Sequence, residues 1–316
     1  MKYAKDTRPK GAASKEATVL VEALPWIKNI TGKTVVIKYG GSAMVDEKLR
    51  ADVMNDIVLL KLVGVNPVIV HGGGKAITEA MECMEFPVEF RDGQRVTTPE
   101  AMDLVRTVLM GKVNQELVAA LNEHGNFAVG LSGADGGIIC ATQKDPQLGR
   151  VGNVTRINRP LLDDLVESDY IPVVASVALG EDGGFFNVNA DMVAGHIAAA
   201  IGAHKVIFLT DVDGLYENFE DKGSLISNLT LFEAQYLVEN NIVSTGMIPK
   251  LQSCIQALEA GVFRAHIING TTPHALLLEL LTSTGVGTTM HPTDEACKYD
   301  AHPLGNFAAK LIENRH

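Results

Sequence analysis

The chain has 316 residues, 46% hydrophobic and 21% charged, which is ample for one large α/β domain or two smaller ones and excludes wholesale disorder. Its formal net charge is −11, from 27 basic and 38 acidic residues. That balance supplies no basic face for a nucleic-acid backbone, and an aromatic share of 5% excludes base stacking as a theme.

The cysteines are Cys83, Cys140, Cys254 and Cys297, and none forms a C-x-x-C pair. Zinc and redox motifs are therefore absent, and buried or incidental thiols in a reducing compartment are expected. No stretch approaches the ~20 apolar residues of a membrane span. The polar, basic start from Met1 to Gly11 lacks the apolar core of a secretory signal. The expectation is a cytoplasmic protein that binds neither nucleic acid nor membrane.

Residues 1–14 read as unstructured. Residues 15–30 fit a short amphipathic helix with Leu20, Leu24 and Ile27 on one side and Pro25 as a kink. It is an appendage, which lies on its own domain or makes an oligomer contact. The first core strand is Lys33–Tyr39, with the apolar run Val35-Val36-Ile37. Leu49, Val53, Ile57 and Leu60 recur at helical spacing and predict a helix over Glu47–Leu62. A strand at Pro67–Val70 and a helix at Ala76–Cys83 follow. Further strands are predicted at Phe127–Leu131, Ile171–Ser176, Lys205–Thr210 and Ala265–Ile268. Further helices are predicted at Pro99–Asn122, Asp191–Gly202, Leu231–Asn240 and Ile248–Ala260. A hydrophilic stretch near 140–157 reads as a hairpin excursion. Buried strands alternating with helices predict an α/β fold, a mostly parallel sheet covered by helices on both faces. The polar segment after Gly287 carries no readable role.

Ligands of such sheets bind beyond the carboxyl ends of the strands. Two glycine-rich turns fall there, Gly40-Gly41-Ser42 and Gly72-Gly73-Gly74. The second runs into a helix, whose free N–H groups and dipole suit a phosphoryl group or an oxyanion. Neither turn is a P-loop or a G-x-G-x-x-G fingerprint. Alone, each is equally well a structural turn. Lys38 closes a buried strand just before Gly40; it either snorkels to water or clamps an anion. Asn187-Val188-Asn189-Ala190-Asp191 precedes a helix and either caps it or reaches a ligand. Thr210-Asp211-Val212-Asp213-Gly214 follows a buried strand as a plain turn or a nucleotide contact. Lys250, at the end of Thr245-Gly246-Met247-Ile248-Pro249-Lys250, opposes a helix dipole unless an anion is present. Arg95, in Gly93-Gln94-Arg95-Val96-Thr97, is a surface arginine or a bidentate carboxylate ligand.

The ordered set VVIKYGG, VIVHGGG, DGQRVT, NVNAD, LTDVDG and STGMIPK resembles the amino-acid kinase family, in its acetylglutamate kinase branch, over about residues 25–290. Any one motif is weak; the set in order is specific. The resemblance implies a three-layer αβα sandwich and ATP-dependent phosphorylation of the side-chain carboxylate of N-acetyl-L-glutamate. It implies that Lys38 and Lys250 stabilise the transferring phosphoryl group and that Asp191 orients them. Gly40, Gly41, Gly73 and Gly74 would give N–H groups to phosphates and acceptor. Arg95 and Asn187 would hold the acceptor's α-carboxylate. Thr210, Asp211, Gly214 and Met247 would line the nucleotide site. Residues 31–178 would form the acetylglutamate half and residues 179–316 the ATP half. The chemistry agrees: a carboxylate with pKa near ~4.3 is ionised at neutral pH and needs no general base. Mg²⁺ would ride on the ATP phosphates, and no protein metal ligand is assigned.

The arginine-sensitive type of that branch is similar in two further ways: an extra N-terminal helix, and the pattern from His274 to Glu279 and Gly285 to Thr288. It implies a homohexamer, a trimer of dimers interlaced through residues 1–30, and inhibition by L-arginine near Glu279 and Gly285. Without the resemblance Glu279 reads as an exposed helix residue. Two departures stand out: Ser42 follows the glycine pair where the family more often has Asn, and residues 291–316 extend past the usual end. Sibling kinases of glutamate, aspartate or uridylate share the Lys-Gly-Gly loop. Arg95 and NVNAD favour acetylglutamate. A non-catalytic arginine sensor is disfavoured by Lys38, Asp191 and Lys250, and a dehydrogenase by the missing fingerprint.

Overall fold

The structure is a computed structural model that describes residues 18–44, 46–91, 93–218, 220–244, 246–283 and 285–293. The expected unstructured start, residues 1–14, lies outside them, as do residues 294–316 of the expected tail extension.

The fold grows from strand β1, Thr34–Tyr39, where Val35, Val36, Ile37 and Tyr39 are wholly buried. A β-branched run of this kind fits a strand covered on both faces. β2 (Asn66–His71) pairs with it in parallel, Thr34 opposite Asn66 and Tyr39 opposite His71. Two further strands, β3 (Phe90–Arg91) and β4 (Gln94–Arg95), make a separate hairpin. β5 (Ala128–Ser132) is the far edge of the main sheet. β6 (Ile139–Gln143) and β7 (Gly152–Ile157) form the expected excursion, antiparallel and bulged between Cys140 and Ala141.

The chain then re-enters the main sheet as β8 (Ile171–Ala175). β9 (Val177–Gly180) and β10 (Phe185–Asn187) join β6 and β7 in a four-stranded side sheet ordered β10-β9-β6-β7. β11 (Lys205–Thr210), β12 (Asn228–Thr230), β13 (Arg264–Asn269) and β14 (Thr288–His291) complete the main sheet. Its order is β12-β14-β13-β11-β1-β2-β8-β5. It is parallel from β13 to β5, and β14 turns antiparallel against β13. The sequence carries no alternation that announces β9, β10, β12 or β14, which are three or four residues long.

Helices cover both faces. α1 (Leu24–Ile30), α2 (Glu47–Leu62), α3 (Gly74–Cys83), α4 (Pro99–Val108) and α5 (Gln115–Asn122) come first in the chain. α6 (Pro160–Glu167), α7 (Ala190–Ile201), α8 (Leu231–Glu239), α9 (Ile248–Glu259) and α10 (Ala275–Leu281) follow. Val35, Ile37 and Tyr39 pack into one core with α2 to α5 and α10. Val36 packs into the other with α6 to α9. Side chains alternate across a strand, so Lys38 shares the face of Val36 and is directed to the α7 side.

Two expectations change, one for a residue and one for a helix. Pro25 sits in the first turn of α1, where its missing N–H costs nothing, so it starts a helix rather than kinking one. Residues 18–22 are helical and Ala23 is a turn. The helix expected over Pro99–Asn122 is three pieces, because Leu109–Asn114 is π-helical. The extra residue per turn carries Asn114 into the core, where its side chain meets β2 and β8. Gly202 ends α7 in the left-handed region at φ 64°, a conformation that costs glycine little. Among the described residues no helix is long and apolar enough to cross a membrane.

α7 and α9 pack closely because Gly195 has no side chain. A Cβ there would lie 2.8 Å from the Ser253 carbonyl oxygen. Gly195→Val is expected to destabilise the fold by about 2 kcal/mol, the cost of overpacking a closed contact, measured by urea denaturation.

Candidate active site

Asp191 lies in the first turn of α7 and is almost wholly buried. Asn189 caps that helix, its Oδ1 accepting from the N–H groups of Asp191 at 2.8 Å and Met192 at 3.2 Å. Lys38, at the end of β1, places Nζ 2.9 Å from Asp191 Oδ1. Lys250, in the first turn of α9, places Nζ 3.2 Å from Asp191 Oδ2. The carboxylate thus answers both open readings: Lys38 does not snorkel, and Lys250 tolerates its helix dipole, because each has this partner. Burial alone raises the Asp191 carboxyl. The attraction of Lys38 and Lys250, with their hydrogen bonds, outweighs it and holds the group below the usual carboxylate range. Two cations on one carboxylate leave a surplus of one positive charge, an attractor for an anion.

The glycine loops border that surplus. Lys38 Nζ lies 2.7 Å from the position that a Gly40 Cβ would take, so a side chain there would push the amine from where it stands over the loop. Gly41 has φ 77°, and its Cβ position is 2.5 Å from Asp211 Oδ1. Gly72, Gly73 and Gly74 follow β2 and open α3. A cavity of about 800 Å³ is lined by Lys38, Gly40, Gly41, all three glycines of the second loop and Arg95. A smaller one of about 240 Å³ adds Asn187 and shares Arg95 and the second loop. Arg50, paired with Glu116 at 3.0 Å, and Lys112 also line the larger cavity. No sequence motif marks these two; isolated charges on helices look alike.

Arg95 is buried, not a surface arginine. Its Nη2 donates to Gly74 O at 3.0 Å and Thr78 Oγ1 at 2.6 Å, and the Phe90 ring lies 4.7 Å away. Among the described residues no carboxylate pairs with it. Asn187 Nδ2 donates to Thr97 Oγ1 at 3.3 Å, and Thr97 Oγ1 donates to Arg95 O at 3.0 Å. Arg95 and Asn187 therefore stand together through Thr97.

The four expected nucleotide residues scatter more. Thr210 ends β11 and Asp211 reaches the Gly41 loop. Gly214 packs against Thr288 of β14, and Met247 packs with the α7–α9 core. None of the four, Thr210, Asp211, Gly214 and Met247, lines either cavity. Thr245 lies outside the described residues.

Glu279 and Gly285 do meet: Gly285 has φ 60°, and its Cβ position is 2.9 Å from Glu279 Oε2. Glu279 is buried, not exposed. His266 Nδ1 donates to its Oε1 at 2.6 Å, Thr289 Oγ1 at 3.0 Å, and the Val286 N–H to its Oε2 at 2.8 Å. Burial opposes its ionisation, yet these donors hold the carboxyl well below its usual range. Lys205 is buried on the neighbouring strand, lowered to about 8 by burial, with Arg264 adding to the shift and Glu279 opposing it. Nothing in the spacing of His266 or Lys205 announces this cluster. Among the described residues no group of three or more His, Cys, Asp or Glu gathers to hold a metal. Cys83 is exposed, Cys140 half-buried and Cys254 buried, all free, and Cys297 lies outside the described residues.

Asp191 generates a pH prediction. Its folded pKa is depressed, so its contribution to stability is present above the unfolded value near ~3.9 and is lost as pH falls through the folded one. Asp191→Asn is expected to cost about 3 kcal/mol at pH 7, from two uncompensated lysines, and about 1 kcal/mol less at pH 3, below the unfolded carboxyl's pKa. Urea denaturation of both proteins at the two pH values measures this.

The amino acid kinase family model matches residues 33–269. The acetylglutamate kinase of Caldanaerobacter subterraneus subsp. tengcongensis is 50% identical over 275 residues, covering 86% of this chain and 92% of that one. The acetylglutamate kinase of Halothermothrix orenii is 49% identical over 278 residues, covering 86% and 96%. A solved N-acetylglutamate synthase from Neisseria gonorrhoeae, complexed with coenzyme A and N-acetyl-glutamate, superposes with a TM-score of 0.77 at 24% identity. It covers 88% of this chain and 63% of that one, and shows the shared fold. The match across the sheet, the motifs and most of both lengths leads to one conclusion: the chain belongs to the amino acid kinase family, in its acetylglutamate kinase branch.

Proposed function

We propose that the protein transfers the γ-phosphoryl group of ATP to the side-chain carboxylate of N-acetyl-L-glutamate, giving N-acetylglutamyl 5-phosphate and ADP. The observation that carries this reading is the Lys38–Asp191–Lys250 triad beside a glycine-lined cavity that also holds a buried, carboxylate-free arginine. An ionised carboxylate oxygen attacks the γ-phosphorus, and the bond to the β-bridging oxygen breaks. Both partners are anions, so the protein must supply positive charge and position. Lys38 and Lys250 flank the transferring group, and Asp191 sets their separation. The N–H groups of Gly40 and Gly41 face the nucleotide phosphates, and those of Gly73 and Gly74 face the acceptor. Arg95 and Asn187 receive the α-carboxylate. Thr210, Asp211, Gly214 and Met247 border the nucleotide; residues 31–178 form the acetylglutamate half, which Asn187 joins, and residues 179–316 the ATP half, which Gly40 and Gly41 join. Mg²⁺ arrives on the nucleotide phosphates and offsets their charge there. ATP supply and free thiols are consistent with a cytoplasmic setting.

Regulation belongs to the same proposal. L-arginine binds at Glu279 and Gly285, where a buried carboxylate matches a guanidinium. Residues 1–30 interlace three dimers into a homohexamer. Val19, Leu20, Val21 and Leu24 are exposed in the described part of that segment, which supports a role in assembly.

Coupled ADP-release assays should show turnover with N-acetyl-L-glutamate and little with glutamate, aspartate or UMP; no turnover with acetylglutamate contradicts the proposal. Lys250→Ala should lower kcat by about 10²–10³-fold, the scale of losing one preorganised transition-state contact. Arginine should inhibit the rate, and Glu279→Gln should raise the inhibitory concentration about tenfold, for the loss of about 1.4 kcal/mol of charge-assisted bonding. Deleting residues 1–28 should reduce both assembly size and inhibition, read by light scattering and arginine titration. A truncated protein that stays hexameric and fully inhibited contradicts the assembly reading.

A further inference from the structure

His71 ends β2 and is wholly buried directly before the second glycine loop, yet no step of phosphoryl transfer uses it. Its Nδ1 lies 2.9 Å from Gly72 O and its Nε2 lies 3.0 Å from Asn114 Nδ2. Asn114 is also wholly buried, and its Nδ2 donates to Val173 O at 2.9 Å. A carbonyl only accepts, so that contact fixes which end of the Asn114 amide is the NH₂ group. The second amide hydrogen then goes to His71 Nε2, which must be the bare nitrogen. The ring proton is left on Nδ1 and is donated to Gly72 O.

The consequence falls on the loop. In a trans peptide the carbonyl and the next N–H point to opposite sides. With Gly72 O drawn inward to His71, the Gly73 N–H is turned outward, to the cavities that Gly73 lines. Among the described residues that N–H has no backbone or side-chain acceptor. The π-helical segment closes on the same loop from behind: a Cβ on Gly73 would lie 2.7 Å from Leu109 Cδ2 and 3.2 Å from Val113 Cγ2. The π turn therefore does two things, supplying Asn114 to the ring and backing the glycine that faces the acceptor.

We infer that His71 and Asn114 are positioning residues, which lock the Gly72–Gly73 peptide so that the Gly73 N–H is aimed at the reacting carboxylate. The inference rests on the kinase reading above. Burial keeps the ring neutral, lowering its pKa to about 4, with the Gly72 contact opposing the shift, so the lock does not titrate between pH 5 and 8.

The test uses the full-length enzyme. His71→Leu should lower kcat about 30-fold, below the ~10²–10³ of deleting an oxyanion donor outright, with the KM for ATP within about twofold. His71→Gln keeps an amide donor and should recover kcat to within about fivefold of the wild type. Activity is normalised to folded protein by active-site titration with a tight nucleotide analogue. A Leu variant with wild-type kcat, or a Gln variant no better than Leu, overturns the inference. Long-range ¹H–¹⁵N spectra of histidine-labelled protein, with the His71→Leu spectrum as assignment, test the lock without any acceptor. They should show His71 neutral and protonated at Nδ1 at pH 6.5. An Nε2-protonated or cationic ring overturns the inference. A wild-type protein inert toward acetylglutamate removes the kinase reading instead, and leaves that spectrum to decide whether the lock exists.

Discussion

One buried carboxylate, Asp191, holds together two lysines from the two halves of the chain, and the arrangement of the site depends on that contact. Without it Lys38 and Lys250 would repel each other and turn to water. With it they stand at a fixed separation with one positive charge in surplus. The fold is shaped to permit this. Strand alternation in β1 directs Lys38 to the α7 side, the Asn189 cap sets where α7 begins, and Gly195 lets α9 bring Lys250 close. Each is a backbone device placed for a side-chain purpose.

In the proposed function the rest of the site handles anions largely through the backbone. The protein carries a net charge of −11, so attraction of ATP and a dicarboxylate cannot come from the whole surface. On the proposed reading it comes from glycine N–H groups, a buried guanidinium and the triad, with Lys38, Arg95 and the glycines lining one cavity at the carboxyl ends of β1 and β2. Gly40 and Gly41 serve in different ways: the first leaves room for the Lys38 amine, and the second adopts a positive φ against Asp211. The Glu279 cluster works by the same economy, a buried carboxylate held ionised by His266, Thr289 and one backbone N–H.

Much of this was legible before the structure, for physical reasons. Buried parallel strands are long apolar runs, so β1, β2, β8, β11 and β13 stand out, as does α2, whose apolar spacing is helical. Short antiparallel strands such as β9 and β10 have too few residues for alternation to register. The π segment was hidden because its sequence continues the helical pattern of its flanks; the widened turn is set by what Asn114 reaches in three dimensions. Lys38 and Lys250 could be singled out because each is out of place locally, whereas Arg95 and Asp191 were marked by the motif set to which they belong. His71 and Asn114 could not, since a histidine in a glycine motif and an asparagine in a helix carry no local contradiction. Their pairing exists only across the fold.

The proposed reaction requires the phosphoryl group to pass between Lys38 and Lys250. The most direct test is a crystal structure of the enzyme with ADP, Mg²⁺, an aluminium fluoride mimic of the transferring group and N-acetyl-L-glutamate. The account predicts the mimic between the two Nζ atoms, within hydrogen-bond reach of both, with the acetylglutamate side-chain carboxylate in line and the Gly73 N–H directed at that carboxylate. A mimic that contacts neither lysine, or an acceptor bound away from Arg95 and Asn187, contradicts it.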